Sequence, residues 1–222
     1  MIRDALLVAG KDLRLEARSR VALNQVLPFA LLVLVLFAFA LDPDRGVLEE
    51  ATPGLYWVAV LFSGLLALQR SFAVEAADGN RDALRLSGLD PAGIYLGKVA
   101  AVSVQLLALE VLLGVGVVVL YTTELDGWPL LVATVGVATA GIAAAGTLYG
   151  VVAAGLRVRE TLLPLLLLPV LAPVLIGSTR AFEAALGGTP SEGWPWVGLM
   201  GVFALLYVVA GVLGFGPLLE EA

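Results

Sequence analysis

Few side chains in this sequence could carry covalent or acid–base chemistry. The chain has 222 residues with no histidine and no cysteine. Imidazole and thiolate groups are therefore absent as nucleophiles, general bases and metal ligands. No GxxxxGK[ST] loop occurs either, so ATP cannot bind by the P-loop route. We predict a protein with no catalytic residue, no metal site and no directly bound cofactor.

Glu110 is the one acidic residue deep inside a long apolar segment. An ionisable group in such a segment is costly, so it should face the interior of a helix bundle. Two interpretations stay open. Glu110 handles a substrate or a proton, or it makes a buried hydrogen bond to a group such as Ser103 or Thr139.

Prolines and glycines mark two further apolar segments. Pro164, Pro169 and Pro173 each remove a backbone donor, so their helix should be bent or broken, and a bend could serve as a hinge. Such kinks are also common in membrane helices that do not move. Gly146 and Gly150 form a GxxxG pair, which predicts close helix contact within the chain or between chains.

The composition places these residues in a membrane. Apolar residues make up 60% of the chain, against roughly 45–50% in soluble domains, and they form blocks near the ~20 residues that cross a bilayer. The net charge of −6 argues against a nucleic-acid partner. We predict an all-α polytopic protein, one domain over residues 1–222, with six transmembrane helices near residues 21–41, 51–68, 99–121, 128–156, 161–177 and 194–219.

The basic residues predict the orientation of these helices. Eleven of the 13 Lys and Arg residues fall on one side of the six-span arrangement, and only Arg45 and Arg180 fall on the other. Because basic loops stay in the cytoplasm, both termini should be cytoplasmic. Trp57, Trp128, Trp194 and Trp196 then lie at the outer ends of spans, which favours an aromatic belt over a platform for a flat ring.

The first 20 residues predict an amphipathic helix. Ile2, Leu6, Ala9, Leu13 and Ala17 share one face at 100° per residue, whereas the basic residues lie on the opposite one. We expect this helix to lie in the cytoplasmic interface, as an anchor, as a surface for a cytoplasmic partner, or as both.

The polar segment 70–98 is the longest between two spans. Asp78-Gly79-Asn80 predicts a turn that starts a short helix over residues 80–86, Ser87-Gly88 ends it, and Asp90-Pro91 starts the next helix. We expect this coupling segment to dock a partner rather than to be a solvated connector. Its candidate residues are Arg70, Glu75, Asp78, Gly79, Arg81, Asp82, Leu84, Arg85 and Leu86.

Several short motifs, in chain order, resemble those of one known family. The chain is similar to heme exporter protein B, the cytochrome c maturation permease of the ABC-2 type. The matching stretches are Lys11-Asp12-Leu13 with Glu16 and Arg18, Leu61-Phe62-Ser63, Arg70-Ser71-Phe72 with Glu75, Asp78 and Gly79, Tyr95-Leu96-Gly97-Lys98, Tyr149-Gly150, and Arg157-Val158-Arg159-Glu160 with Leu163-Pro164 and Pro169.

This resemblance implies a non-catalytic permease subunit in a bacterial inner membrane. ATP would be hydrolysed on a separate cytoplasmic ABC ATPase, with two copies of each chain, and the segment 70–98 would couple the two. The further implied partners are a tryptophan-rich heme-handling membrane protein, a small accessory membrane protein and a membrane-tethered heme chaperone. Heme would be a cargo of the complex, and whether it passes through this subunit stays open.

The alternative function is an ATP-independent secondary transporter. Such proteins more often show internal repeats and paired charges near the middle of the membrane. We find no internal repeat in this sequence. A membrane-embedded enzyme ranks below both, because catalytic groups are missing.

Overall fold

All regular secondary structure in the described parts of the chain is helical. The computed structural model describes residues 1–19, 26–41, 46–76, 87–121, 127–154 and 159–221, and no strand occurs in these ranges. The prediction of an all-α protein is therefore confirmed. The helices in these ranges are α1 (Ile2–Ser19), α2 (Leu27–Ala40), α3 (Val47–Ala76), α4 (Pro91–Tyr121), α5 (Trp128–Ala154), α6 (Arg159–Leu186) and α7 (Pro190–Glu221).

Five of these helices are long and apolar enough to cross a membrane: α3, α4, α5, α6 and α7. Helix α2 is apolar but has only 14 residues, which is about 21 Å at 1.5 Å per residue and shorter than the ~30 Å hydrocarbon core. The predicted first span, 21–41, includes residues 21–25, which lie outside the described residues. The described residues thus supply five candidate spans, and the predicted count of six is not confirmed.

The helices on either side of the segment 70–98 are longer than the sequence predicted. Helix α3 continues to Ala76, and α4 begins at Pro91, where the Asp90-Pro91 pair predicted a helix start. Gly88 adopts a φ of +68°, a turn conformation that glycine adopts at little cost. The predicted short helix over residues 80–86 lies outside the described residues.

Helix α5 lies at the centre of the bundle, where it packs against α3, α4, α6 and α7. Its small residues allow this close packing. A Cβ atom at Gly146 would overlap Leu68 of α3, and one at Gly150 would overlap the Phe72 ring one turn further along α3. The predicted GxxxG contact is therefore confirmed, and in the described structure it is made within the chain.

Helix α6 contains Pro164, Pro169 and Pro173 and is nevertheless one continuous helix. Of the two expected alternatives, the broken helix is wrong because the helix is continuous through all three prolines, and a bend stays a prediction. Leu167 and Leu171, placed among the prolines, are fully buried. Packing of the apolar face thus maintains the helix across the missing backbone donors.

Tyr95 joins three helices near the start of α4. Its hydroxyl lies 3.1 Å from the carbonyl oxygen of Ala144 in α5 and 2.9 Å from that of Tyr207 in α7. Its ring packs against Phe215 and occupies the space left by Gly211, where a Cβ atom would overlap it. The start of α4 is therefore fixed to the interior of the bundle.

The tryptophans differ in their surroundings. Trp128 and Trp194 are exposed, as an aromatic belt requires. Trp57 is buried and packs edge-on against Tyr56 and Phe182, with ring centroids 5.4 and 5.3 Å apart. The prediction that Trp57 belongs to the belt is wrong, because its position along α3 directs it to the bundle interior instead of to lipid.

Candidate functional site

Helix α1 packs directly on the first turns of α4. A Cβ atom at Gly93 would lie 2.8 Å from the Met1 carbonyl oxygen, and one at Gly97 would lie 2.6 Å from the Ala5 carbonyl oxygen. Val8 of α1 is buried in the same contact. The order of these contacts is the same along both helices, so α1 and the start of α4 run parallel. The absence of side chains at Gly93 and Gly97 lets the two backbones approach this closely.

A buried ion pair extends this contact by one turn. Lys98 of α4 has only 2% of its side chain exposed, and its Nζ lies 3.6 Å from Asp12 Oδ2 of α1. The same Nζ lies 5.3 Å from the centre of the Phe72 ring of α3, a cation–π geometry. Asp12 Oδ1 also pairs with Lys11 at 2.9 Å on the exposed side. We call Asp12, Phe72 and Lys98 the junction cluster, since it joins α1, α3 and α4.

The burial of Lys98 corrects an expectation from the sequence. The residue pattern puts Lys98 at the end of a polar segment, whereas the structure places it inside the packing of three helices. A buried charge of this kind requires a partner, and no spacing in the sequence predicts that residue 12 lies beside residue 98. The signal that could have indicated the contact is the Gly93–Gly97 spacing, which predicts a close helix neighbour just before Lys98.

Glu110 lies in the interior of the bundle, 12 residues further along α4 than Lys98 of the junction cluster. It is buried, and its Oε2 accepts a hydrogen bond of 2.6 Å from the Thr139 hydroxyl of α5. The Tyr56 hydroxyl of α3 donates to the Glu110 carbonyl oxygen at 3.0 Å. Thr139 is one of the two partners predicted from the sequence, so that expectation is confirmed. Among the described residues, Oε1 has no hydrogen-bond partner.

Substitution of Glu110 should separate the role of its shape from the role of its hydrogen bond. Glu110→Gln keeps an acceptor for Thr139 and should cost less than about 1 kcal/mol. Glu110→Leu leaves the Thr139 hydroxyl unpaired, so the variant should lose about 1–3 kcal/mol of stability. Thermal unfolding of the purified protein measures both changes. The control combines Glu110→Leu with Thr139→Val, so that both partners are apolar and most of the stability should return. If the Gln and Leu variants are equally stable, the hydrogen bond between Thr139 and Glu110 does not contribute to stability.

The predicted coupling residues lie at one end of the bundle or beyond the described ranges. Arg70 and Glu75 belong to the last turns of α3, near Phe72 of the junction cluster in the chain. Asp78, Gly79, Arg81, Asp82, Leu84, Arg85 and Leu86 lie outside the described residues. Their proposed role stays a prediction. Within the described ranges, no group of three or more acidic side chains is arranged to hold a metal ion.

The sequence pattern of the family described as CcmB protein matches residues 3–217. The chain belongs to the CcmB family. It is 31% identical over 186 residues to heme exporter protein B of Haemophilus influenzae, covering 84% of each chain. It is 33% identical to the protein of the same name from Paracoccus denitrificans, covering 84% of this chain and 85% of the relative.

A third relative extends the CcmB similarity over more of the chain. Heme exporter protein B of Bradyrhizobium diazoefficiens is 30% identical over 218 residues, covering 92% of this chain and 90% of the relative. The family match includes α1 from Arg3 onward, the junction cluster and Glu110. The features described above therefore lie within the part of the chain that defines CcmB membership.

Proposed function

We propose that this CcmB-family chain is the membrane permease subunit of an ABC transporter that serves heme export in cytochrome c maturation. The observation that carries the proposal is the family match over residues 3–217, together with relatives named heme exporter protein B. The subunit itself performs no catalysis. ATP is hydrolysed on a separate cytoplasmic ATPase, and heme is a cargo of the complex.

The proposed mechanism is mechanical coupling at the end of the bundle that holds the junction cluster. The segment between α3 and α4 contacts the ATPase, and movement of that segment displaces the end of α3 and the start of α4. Asp12, Phe72 and Lys98 keep α1 moving with these two helices. Tyr95 then passes the displacement to α5 and α7 through its hydrogen-bonding hydroxyl.

The proposed assembly follows from the resemblance of the chain to heme exporter protein B. Two copies of the chain pair with two ATPase subunits in a bacterial inner membrane. A tryptophan-rich heme-handling membrane protein, a small accessory membrane protein and a membrane-tethered heme chaperone complete the complex. Each copy acts as a single domain, residues 1–222, in which α2 and its flanking residues form a sixth span.

Docking of the ATPase is tested by substitutions in the coupling segment. Leu84→Asp places a charge on the proposed apolar contact, and Gly79→Val adds a branched side chain at the proposed turn. Both variants should insert into the membrane normally and lose the ATPase on co-purification, with loss of cytochrome c assembly in cells. Leu84→Met keeps the apolar surface and serves as the control. Retention of the ATPase and of cytochrome c assembly by both variants would place the dock elsewhere, with α1 as the next candidate.

The proposed topology predicts the location of reporter fusions. Fusions after Glu50, Asp126 and Gly188 should report the outer side of the membrane, and fusions after Asn80 and Ala222 should report the cytoplasm. The reason is the 11 to 2 split of basic residues between the two sides. A dual alkaline phosphatase and fluorescent-protein reporter distinguishes the two outcomes. An outer location of the C-terminus would rule out six spans with both termini inside.

A further inference from the structure

A side-opening cleft of about 680 Å³ lies between α4 and α5, in the half of the bundle away from the junction cluster. Its walls carry Val111 and Val115 of α4 and Val132 of α5, all of which are exposed at the surface of the bundle. Its inner end is formed by Tyr56 of α3, Phe182 of α6 and Glu110. The volume falls in the range of small-molecule pockets, roughly 300–1,000 Å³. Because the cleft opens sideways between two candidate spans, molecules dissolved in the bilayer can reach it.

Two glycines leave this space open. Gly114 of α4 and Gly136 of α5 both line the cleft, and a Cβ atom built at either one meets nothing within 4 Å. Neither glycine is therefore required for close contact between helices. In this respect they differ from Gly146 and Gly150, where a Cβ atom would overlap side chains of α3.

The Glu110 side chain lines the inner end of this apolar space, and one of its carboxyl oxygens has no partner in the described structure. Glu110 is 1% exposed, and its Oε2 is occupied by Thr139, whereas Oε1 has no hydrogen-bond partner in the described structure. Bilayer hydrocarbon supplies no donor, so an unpaired carboxyl oxygen at this depth is costly. A ligand that brings a donor to Oε1 would remove that cost.

We propose that the cleft binds a membrane-dissolved apolar molecule whose hydroxyl group donates a hydrogen bond to Glu110 Oε1. A hydroxyl fits better than an ammonium group, because carrying a charge into hydrocarbon costs far more than carrying a neutral donor. The apolar body of the ligand lies along the valines of α4 and α5. This inference does not depend on the proposed transport function, since it rests only on Glu110, the two glycines and the shape of the cleft.

Photolabelling of the full chain in native membranes tests the proposal. The probe is a hexadecanol analogue that carries a photoreactive diazirine near its hydroxyl group. Peptides containing Val111 or Val132 should be labelled, and unlabelled hexadecanol should compete. Hexadecyl methyl ether lacks the donor and should compete roughly tenfold less well, the difference expected for one hydrogen bond to a charged or buried acceptor. Equal competition by the alcohol and the ether would overturn the role of Glu110.

Two pairs of variants make the test specific to the cleft. Gly136→Leu fills the open space and should abolish labelling, whereas Gly201→Leu of α7, which also has open space around its Cβ position and does not line the cleft, should retain it. Glu110→Gln keeps the acceptor for Thr139 but places an amide NH2 group at the Oε1 position, so it should lose the preference for alcohol over ether, and Glu110→Leu should lose it too. Persistent labelling in Gly136→Leu would overturn the site.

A protein occupant is the competing outcome. The chain contains no cysteine, so Val115→Cys introduces a single reactive thiol at the mouth of the cleft. If a helix of a second copy or of another subunit fills the cleft, a short thiol cross-linker should join Val115→Cys to that chain in native membranes. Such a cross-link would overturn the proposed ligand, whereas lipid-soluble maleimide labelling without a cross-link supports it.

Discussion

Replacing Lys98 with methionine should lower the stability of the purified protein by about 3 kcal/mol. Removing one member of a buried ion pair typically costs about 3–5 kcal/mol, because the other charge stays buried without it. We expect a loss at the lower end of this range, because Lys11, which lies 2.9 Å from Asp12 Oδ1, can still pair with that carboxylate after the change. Thermal unfolding in detergent, compared with the parent chain, measures the effect.

Two companion variants decide whether the ion pair is responsible. Lys11→Met removes the exposed partner of the same carboxylate and should cost less than about 1 kcal/mol, as exposed pairs do. Lys98→Met combined with Asp12→Asn removes both buried charges and should recover much of the lost stability. If the double variant is no more stable than Lys98→Met alone, the ion pair with Asp12 does not explain the contribution of Lys98 to stability.

Gly150→Ala should destabilise the protein by roughly 1–3 kcal/mol, the usual range for an overpacked core. A methyl group at residue 150 would overlap the Phe72 ring, which also lies 5.3 Å from Lys98 Nζ. The substitution therefore disturbs the junction cluster as well as the contact between α3 and α5. We expect reduced co-purification of the ATPase alongside the loss of stability.

Gly136→Ala is the matched control on the same helix. Its new methyl group meets nothing within 4 Å, so it should leave stability unchanged or raise it slightly through helix propensity. Gly150→Ala combined with Phe72→Leu removes the ring that causes the overlap and should restore part of the stability. If Gly150→Ala and Gly136→Ala behave alike, the close packing around residue 150 is not what requires glycine there.

Hydrophobic patterning predicted the helices well because each candidate span is a long apolar segment that needs no knowledge of its neighbours. The hydrogen bond from Thr139 to Glu110 was also predictable, since two polar groups isolated in neighbouring apolar spans have few other partners. Helix ends are less predictable: α3 continues to Ala76 through polar residues beyond the predicted end of its span, whereas the Asp90-Pro91 pair predicts the start of α4 correctly.

The junction cluster could not be predicted, because its formation depends on how three helices pack. The count of basic residues assigns Lys98 to the cytoplasmic side, but it does not indicate whether the Lys98 side chain is buried. The same limitation explains Trp57, whose residue type indicates an interface but whose position on α3 buries it against Tyr56 and Phe182. Composition and residue spacing identify the helical segments, whereas the direction in which each side chain points depends on tertiary contacts.

The packing of α1 on α4 also constrains the order in which the protein is assembled during synthesis. The hydrogen bond from the Asp90 backbone N–H to Asp4 joins residues 86 positions apart, so α1 leaves the ribosome roughly 4–17 s before its partner at about 5–20 residues per second. An isolated helix of 18 residues is marginal in water. Its exposed Leu6 and Leu7 beside Arg14 and Arg18 suit a membrane surface. We therefore expect the bilayer surface to bind α1 until Gly93 and Gly97 emerge from the ribosome.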